Sequence, residues 1–517
     1  MGGRMGDSSA NADADVRDGA AASPITPAML VVWHARRDLQ RAFDIATLRG
    51  RRDFAEWFAI ETAAAAAGRR GAPARRGVST PLAAARRRIA RAVARMPASV
   101  RRSAEAVRQA AMAARAVWRL RSGRLLGRRR QADDATAVAP AAPAPTAPGV
   151  RIVGSIRGES GMGHSLRSFA AACEAAAVPV ALVESGVRNP SRTVATTGVA
   201  SSHDADALRG NVLYMPAAQL GHAILSLGEH SFSCRPNILV PFWELSRCPD
   251  EWRHAARFVD EIWAPTRFVA EAFSALTPRV IHMPPCVPEP APAPPDRARA
   301  GLPPDAFVFF FSFDFHSFPE RKNPLAAVAA FREAFPTRNA GVMLVIHAMN
   351  ADLRSPAWRR LREAAAADPR IHLSTAPMTH AEVLGLCAAC DCYVSLHRAE
   401  GFGYGPAEAM LLGKPAILTG YSGPCDYARA DTACLVDFAL VDVRPDQYVH
   451  HEGCVWAEPD VGHAAWHMRR LAESPSLAAD VGRRGREAVS SLHAADVVGA
   501  AYRRRFRELG IVDDMPR

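Results

Sequence analysis

The sequence lacks any run of eighteen apolar residues, roughly the length that an α-helix needs to span a bilayer. It therefore gives no sign of a transmembrane helix. Residues 1–25 also lack the apolar core of a secretory signal peptide, and they are predicted to form a disordered leader. In a chain without an export signal, the ten scattered cysteines are expected to be reduced thiols. These absences predict a cytoplasmic protein.

A paired zinc motif is missing as well. Cys387, Cys390 and Cys392 lie close together, and C-x2-C spacing can bind a metal or carry out redox chemistry, but no second pair with zinc spacing accompanies them. We expect these thiols to be buried among apolar side chains, as free cysteines commonly are.

Acidic residues are almost absent from residues 69–130. This segment contains 19 Arg, no Lys, no Asp and one Glu, a charge of +18, so the rest of the chain carries 12 − 18 = −6. Three explanations stay open: codon bias with a solvated helix surface, peripheral docking on the anionic inner face of the cytoplasmic membrane, and nucleic-acid binding. Nucleic acid is the least favoured, because neither aromatic interleaving nor an RNA-binding motif accompanies the charge.

Changes in composition and in the spacing of apolar residues divide the chain into successive segments. Thr26-Pro27 resembles a helix N-cap followed by proline in the first turn, and apolar residues then recur at near-helical spacing. After the leader we predict, in order, a small helical module (26–67), Arg/Ala-rich basic helices (68–130), an Ala/Pro-rich linker (131–149) and two larger domains (150–296 and 297–517).

Short β-branched or aromatic runs alternate with helical segments from Val150 onwards, a pattern typical of parallel sheets with crossover helices. Strand candidates are VRIVGSI, PVALVE, NVLYM, NILVPFW and EIWAPT, then FVFFFSFDF, GVMLVIHAM, IHLST, CYVSL and PAILTG. A proline-rich stretch near 288–304 separates the two series. We therefore predict an α/β fold with two doubly wound, Rossmann-like domains facing a cleft, and a ligand site at the carboxyl ends of the strands.

One loop in the second domain combines two carboxylates with three glycines. HRAEGFGYGPAEAMLLGKP follows the predicted strand CYVSL and contains Glu400 and Glu408. Pro406 suits the first turn of a helix, which would make Gly405 its cap and Glu408 its third residue. The glycines would allow a ligand to approach closely, with phosphate oxygens at the helix N-terminus. The alternative reading is a capping role for Glu408 and a solvated position for Glu400.

The E-x7-E spacing in AEGFGYGPAEAMLLGKP resembles the signature of retaining glycosyltransferases with the GT-B fold, in particular family 4. Across residues 150–510, the segments FVFFFSFDFHSFPERKNP, FWELSRCPDEW, VDEIWAPTRFVAEAF and WAEPD are similar to parts of bacterial polysaccharide glycosyltransferases. The resemblance implies that a nucleotide-sugar binds mainly to the C-terminal domain and the acceptor to the N-terminal domain. It assigns Glu400 to the donor sugar, Glu408 to the ribose of the nucleotide, and Gly401, Phe402 and Gly403 to the donor loop.

Arg321 and Lys322, in FPERKNP, supply two cations at the end of a predicted strand. The resemblance assigns them to the donor diphosphate, which becomes more negative as it leaves. As two exposed cations, they are expected to contribute little to stability. Many family members carry another arginine about six residues before this lysine, where this chain has His316. Either His316 takes the place of that arginine, or Arg321 binds the diphosphate without it.

The N-terminal domain offers a glycine-containing loop and a strand end. SIRGESGMGHSLRSF places Gly161, Gly163 and His164 between a predicted strand and a helix, although it is not a clean G-x-G-x-x-G motif and a simple turn is an equally good reading. The resemblance places this loop facing the donor phosphates and the acceptor across the cleft. Trp243 and Glu244 end NILVPFWEL, where they could bind acceptor hydroxyls, although Trp243 is somewhat better explained as core.

We predict no cofactor and no required metal. The D-x-D pairs, Asp204 with Asp206 and Asp13 with Asp15, are the pattern by which GT-A enzymes hold a divalent ion, but they lie in an apparent loop and in the leader. The resemblance implies that cationic side chains and amides take that role here, and that the leaving phosphate helps to deprotonate the acceptor.

The predicted function is transfer of a hexosyl unit, with retention, from a UDP- or GDP-sugar to a growing cell-surface glycan or lipid-linked acceptor, as in polysaccharide or lipopolysaccharide synthesis. Two alternatives stay open. One is a nucleotide-sugar epimerase on the same fold, and the other is a non-enzymatic scaffold that binds a membrane or nucleic acid through 69–130.

Overall fold

The computed structural model describes residues 25–69, 112, 145–158, 161–186, 204–290, 296–337 and 341–514. The predicted leader, nearly all of the Arg-rich segment and most of the Ala/Pro linker lie outside these residues. The chain forms two compact units, Met1–Val138 and Ala139–Arg517, each described by itself. Among the described residues, no helix combines the length and the apolarity that crossing a membrane requires.

The described residues of the N-terminal unit form α1 (Pro27–Ala35), α2 (Arg37–Ala42) and α3 (Leu48–Arg69). The predicted start of α1 is confirmed: Thr26 is its N-cap, the Met29 amide donates to Thr26 Oγ1 at 3.2 Å, and Pro27 is the first helical residue. Phe54 and Trp57 of α3 stack with ring centroids 5.9 Å apart in the core of this unit.

The larger unit begins with a six-stranded parallel sheet of order β2-β1-β3-β4-β5-β6. Its strands are β1 (Ala147–Gly154), β2 (Val180–Glu184), β3 (Leu208–Tyr214), β4 (Asn237–Val240), β5 (Glu261–Ala264) and β6 (Val280–His282). The helices in this part are α4 (Gly161–Ala175), α5 (Leu220–Leu227), α6 (His230–Ser233), α7 (Arg253–Phe258) and α8 (Arg267–Ser274).

A second six-stranded parallel sheet has the order β12-β11-β10-β7-β8-β9. Its strands are β7 (Phe307–Asp314), β8 (Val342–Met349), β9 (Ile371–Ser374), β10 (Cys392–Ser395), β11 (Ala416–Thr419) and β12 (Cys434–Val436). Consecutive residues 308–311 of β7 are all buried, because helices cover both faces of a parallel sheet. A two-stranded antiparallel hairpin follows, formed by β13 (Phe438–Asp442) and β14 (Val455–Pro459).

The remaining helices are α9 (Pro319–Lys322), α10 (Pro324–Ala334), α11 (Pro356–Ala366), α12 (His380–Ala389), α13 (Tyr404–Leu411), α14 (Val461–Glu473), α15 (Pro475–His493) and α16 (Ala495–Glu508). The prediction that kept residues 297–517 in one domain is wrong at its end. Helix α16 packs on the first sheet, where Tyr502 stacks on Phe169 with centroids 4.4 Å apart. Its apolar stripe, Val498, Tyr502 and Phe506, is buried there because α4 leaves an apolar face to cover.

The two doubly wound sheets confirm the predicted fold class, the GT-B arrangement of two Rossmann-like domains. We call the parts built on the first and second sheets the first and second sheet domains.

Candidate active site

The loop after β10 lies where the sequence predicts it, but the helix that follows begins earlier. Helix α13 starts at Tyr404, and Gly403, with φ of +89°, is its cap. The prediction that Gly405 is the cap is wrong, because Gly403 adopts the left-handed conformation that glycine tolerates best. Glu408 is consequently the fifth helical residue instead of the third.

The glycines of this loop make room for protein atoms. A Cβ on Gly401 would lie 2.9 Å from the carbonyl oxygen of Trp243, and one on Gly405 would lie 2.5 Å from the Tyr393 hydroxyl. The Thr266 hydroxyl donates to the Gly401 carbonyl at 2.8 Å. Since Trp243 and Thr266 belong to the first sheet domain, the glycine at 401 permits close contact between the two domains, in addition to its place beside the cleft.

Glu400 is buried between two cations. Its Oε2 accepts a hydrogen bond from Arg321 Nη1 at 2.8 Å, and its Oε1 accepts one from the Lys322 ammonium. Arg321 also donates to the carbonyl oxygens of Ala399, at 2.7 Å, and Ser317, at 3.2 Å. Burial raises the pKa of Glu400, but the charges of Arg321 and Lys322 outweigh it and hold that pKa well below its usual range. We call Glu400, Arg321 and Lys322 the charged triad; its net charge is +1.

The triad depends on an unusual backbone around α9. Phe318 before this one-turn helix has φ of +61° and Asn323 after it has φ of +52°, both in the left-handed region. Arg321 is only 3% exposed, and the Lys322 side chain is 18% exposed. The prediction of two exposed cations is therefore wrong. The loop after β10 covers them, and the Arg398 amide donates to the Arg321 carbonyl at 2.8 Å.

Glu408 contacts two histidines from different domains. Its Oε1 lies 3.0 Å from His164 Nε2, on α4 of the first sheet domain, and 3.0 Å from His380 Nε2, the first residue of α12. The two imidazole centroids are 4.2 Å apart. Burial raises the pKa of Glu408, but His164 and His380 outweigh it and lower that pKa to about 2. Burial opposes the charged form of His380, yet contact with Glu408 leaves its pKa raised.

Trp243 and Glu244 are adjacent in sequence but have different environments. Trp243 is 4% exposed and donates from Nε1 to the Arg247 carbonyl at 2.8 Å, so the interpretation as core is confirmed. The Glu244 carboxylate accepts a hydrogen bond from the Tyr448 hydroxyl at 2.6 Å and lies 3.8 Å from Arg321 Nη2. Glu244 thus links the first sheet domain to the charged triad.

A cavity of about 930 Å³ collects most of the predicted site residues. Its walls include Gly161, His164, Glu244, His316, Arg321, Lys322, Glu400, Gly401, Phe402, Gly403 and Glu408. Gly163 and Trp243 are not among the lining residues. A Cβ on Gly163 would lie 2.2 Å from the Gly158 carbonyl oxygen, so this glycine serves the close packing of α4 on the preceding loop. The His316 ring is 45% exposed, and its Nδ1 lies 3.7 Å from Asp314 Oδ1.

The structure adds three residues that the sequence interpretation missed. The sequence held a local sign of the position of His380, because Thr379 and Glu382 form a capping box and a helix therefore begins at His380. No local pattern pointed to Tyr448. His397, which is fully buried, lies with Nδ1 3.1 Å from Ser395 Oγ, and burial lowers its pKa to about 4.

Composition gives a further signal for the triad. Lys322 is one of 2 lysines in a chain whose remaining basic residues are 64 − 2 = 62 arginines. At this position lysine supplies a compact, mobile charge instead of the planar fork of an arginine.

The other candidate metal and thiol residues that the structure describes are not among those lining this cavity. The Asp206 side chain is 86% exposed and is 3.6 Å from Arg151 Nη1, while Asp13 and Asp15 fall outside the described residues. All three clustered cysteines are buried, as predicted, and burial raises the pKa of Cys390 to about 12.

Comparison with solved structures gives the same fold. The chain is similar to sucrose-phosphate synthase from Thermosynechococcus elongatus, with a TM-score of 0.53 and 15% identity over 70% of this chain and 99% of that one. It is also similar to a glycosyltransferase from Rickettsia africae, with a TM-score of 0.51 and 11% identity over 70% of this chain and 98% of that one.

A weaker similarity is to S. aureus TarM, in a complex with Fondaparinux, alpha-GlcNAc-glycerol and UDP. Its TM-score is 0.43 at 12% identity over 57% of this chain, and the chain spans 55% of the length of TarM. Comparison with curated protein sequences found no match.

A family model described as glycosyl transferases group 1 matches residues 318–488. The match begins just before α9 and ends within α15, so it contains the charged triad, the loop after β10 and Glu408. Residues 318–488 thus match the group 1 glycosyl transferases, in a chain whose two doubly wound sheets have the GT-B arrangement.

Proposed function

We propose that this protein transfers a hexosyl unit from a UDP- or GDP-sugar to a hydroxyl group of a growing cell-surface glycan or a lipid-linked acceptor, with retention of the anomeric configuration. The observation that carries the proposal is the placement of both glutamates of E-x7-E on one cavity, with Glu400 inside the charged triad and Glu408 on the first turns of α13.

The triad suits a donor diphosphate. The triad, with its net charge of +1, lines the cavity, and the Lys322 side chain is more exposed than that of Arg321. The adjacent loop leads into the N-terminus of α13, whose amides and dipole favour phosphate oxygens. These groups would neutralise the leaving diphosphate without a metal ion. Glu400, fixed by two cations, would present its carboxylate to the donor sugar.

The protonation of the two glutamates supports transfer over glycoside hydrolysis by a carboxylate pair. Such hydrolysis needs one carboxylic acid whose pKa is raised, so that it can protonate the leaving group. Here the pKa values of Glu400 and Glu408 are both lowered by their cationic neighbours. Neither is protonated near neutral pH. In the proposed reaction the leaving phosphate itself accepts the proton of the acceptor hydroxyl.

The acceptor side of the cavity is assigned to the first sheet domain. Glu244, Gly161 and His164 are the residues of the first sheet domain that line the cavity and that we assign to the acceptor. The Glu244 carboxylate is held by Tyr448 and can accept hydrogen bonds from sugar hydroxyls.

Two variants test the proposal. Glu408→Ala should weaken UDP or GDP binding by about 10- to 100-fold, the value of a hydrogen bond to a charged group. Glu400→Gln should leave nucleotide affinity near that of the wild type and lower turnover by about a hundredfold. Titration calorimetry and product formation, with NMR assignment of the new anomeric centre, measure these effects.

Glu473→Ala, at the exposed end of α14, is the matched control and should behave like the wild type. Normal binding in the Glu408 variant together with normal turnover in the Glu400 variant would make the loop purely structural. Donor conversion without any acceptor would indicate an epimerase instead, and an inverted product would overturn retention.

A further inference from the structure

Three atoms of the kinds that bind transition metals converge at one edge of the cavity. They are His164 Nε2, His380 Nε2 and Glu408 Oε1, and all three lie within 4.8 Å of one another. Both nitrogens are 3.0 Å from the same carboxylate oxygen. The three side chains come from three separate helices, α4, α12 and α13.

The donor set selects a class of ion. Two imidazole nitrogens and one carboxylate oxygen form a common three-ligand set for Zn²⁺, and nitrogen ligands disfavour Mg²⁺ and Ca²⁺. Metal–ligand bonds of about 2.0–2.2 Å place tetrahedral donors roughly 3.3–3.6 Å apart. The 3.0 Å contacts at Glu408 are close to that spacing, so a small displacement of the His380 side chain, which is 45% exposed, would complete the site.

The contact between His164 and Glu408 has poor hydrogen-bond geometry. His164 Nε2 is buried without a hydrogen-bond partner, although the Glu408 oxygen is 3.0 Å away. The imidazole is therefore near the carboxylate without the alignment that a hydrogen bond requires. A buried nitrogen that is left unpaired is costly, and an ion between the rings and the carboxylate would satisfy it.

We propose that His164, His380 and Glu408 form a site for a Zn²⁺-class ion that joins the two sheet domains when the donor is absent. In addition, because Glu408 is the residue proposed to hold the donor ribose, the ion and the nucleotide compete for it; this second part rests on the proposed function. A transition-metal ion would then be an inhibitor of a transferase that does not itself require one.

The test is direct measurement of metal binding to the full chain. EDTA-treated protein, freed of chelator, should bind one Zn²⁺ per chain in competition with a chromophoric chelator. It should also give the visible absorption of four-coordinate Co²⁺ with nitrogen and oxygen ligands. His164→Gln and His380→Gln should each weaken Zn²⁺ binding by more than about tenfold, since losing even an indirect partner of a metal ligand has that effect.

His372→Gln, at an exposed position of β9, is the matched control and should bind Zn²⁺ normally. Circular dichroism establishes that both test variants are folded. The metal site is overturned if folded His164→Gln and His380→Gln bind Zn²⁺ as well as the wild type, or if Co²⁺ gives only the thiolate absorption of cysteine ligands.

A second measurement separates the metal site from the proposed function. Saturating UDP or GDP should raise the apparent dissociation constant of Zn²⁺ at least about tenfold if both ligands need Glu408. If Zn²⁺ binding requires both histidines but is unchanged by a nucleotide that itself binds, the competition is overturned and the site stands. If no nucleotide binds at all, the proposed function fails while the metal result is still obtained.

Discussion

Removing Arg321 should destabilise the protein, because this arginine neutralises a buried carboxylate. In Arg321→Met the side chain keeps most of its apolar length but loses its hydrogen bonds to Glu400 and to the Ala399 carbonyl. Breaking a buried ion pair by removing one partner costs about 3–5 kcal/mol. Lys322 remains beside Glu400, so we expect the lower end, about 3 kcal/mol. At about 2–4 °C per kcal/mol, the melting temperature should fall by roughly 6–12 °C.

The assay combines urea denaturation, followed by tryptophan fluorescence, with thermal melting. Arg483→Met is the control, because the Arg483 side chain is 59% exposed and its ion pair with Asp480 lies at the surface. Surface pairs contribute about 0–1 kcal/mol, so this variant should melt within a few degrees of the wild type. Adding Glu400→Gln to Arg321→Met should lower stability further, because Lys322 then loses its carboxylate partner. A wild-type denaturation midpoint for Arg321→Met would refute the reasoning.

Three further results are expected. His397 is buried, and its pKa is lowered to about 4 from 6.5, so the unfolded chain binds more protons than the folded chain between these pH values. The free energy of unfolding should therefore fall by about 1.4 kcal/mol per pH unit as the pH is lowered from 6.5 to 4. In His397→Gln the urea midpoint should depend less steeply on pH. In Gly482→Ala the new Cβ would lie 2.0 Å from the Gly413 carbonyl oxygen, so the free energy of unfolding, measured with urea, should fall by more than about 2 kcal/mol. Gly385→Ala is the control, because the space around Gly385 is open, and it should be neutral or stabilising by up to about 1 kcal/mol. Similar urea midpoints for the two variants would contradict the packing of α15. Glycosyl transfer should continue in EDTA, and complete loss that Mn²⁺ or Mg²⁺ restores would show that a metal holds the diphosphate.

Local sequence patterns were sufficient for ten of the twelve strands in the two parallel sheets and for the central loop, but not for β6 and β12, which have only three residues each. The buried runs that became β7, β8, β10 and β11 are strongly apolar, because parallel strands covered on both faces need no polar alternation. The E-x7-E loop could be placed after β10 from its glycines and the proline at 406 alone. The prediction for the start of α13 failed by two residues, since a cap is set by the backbone angle of Gly403, which residue identity does not specify.

The environments of the charged residues could not be predicted in the same way. Arg321 and Lys322 look like surface cations in FPERKNP, but their partner Glu400 is 79 and 78 residues away in the chain. Their burial arises only when α9 packs under the loop after β10. The positive φ angle of Phe318 has no counterpart in residue type, whereas Asn323 is of a type that tolerates the left-handed region.

The sequence by itself determined the alternation of strands and helices, the two-sheet fold class and the residue types available to the site, because these depend on periodicity and on short-range backbone preference. Only the tertiary structure decided that His164 of one domain meets Glu408 of the other, that Tyr448 holds Glu244, and that α16 returns to the first sheet. Such pairings are set by which apolar faces bury one another across long stretches of chain, and the polar groups carried by those faces meet as a consequence.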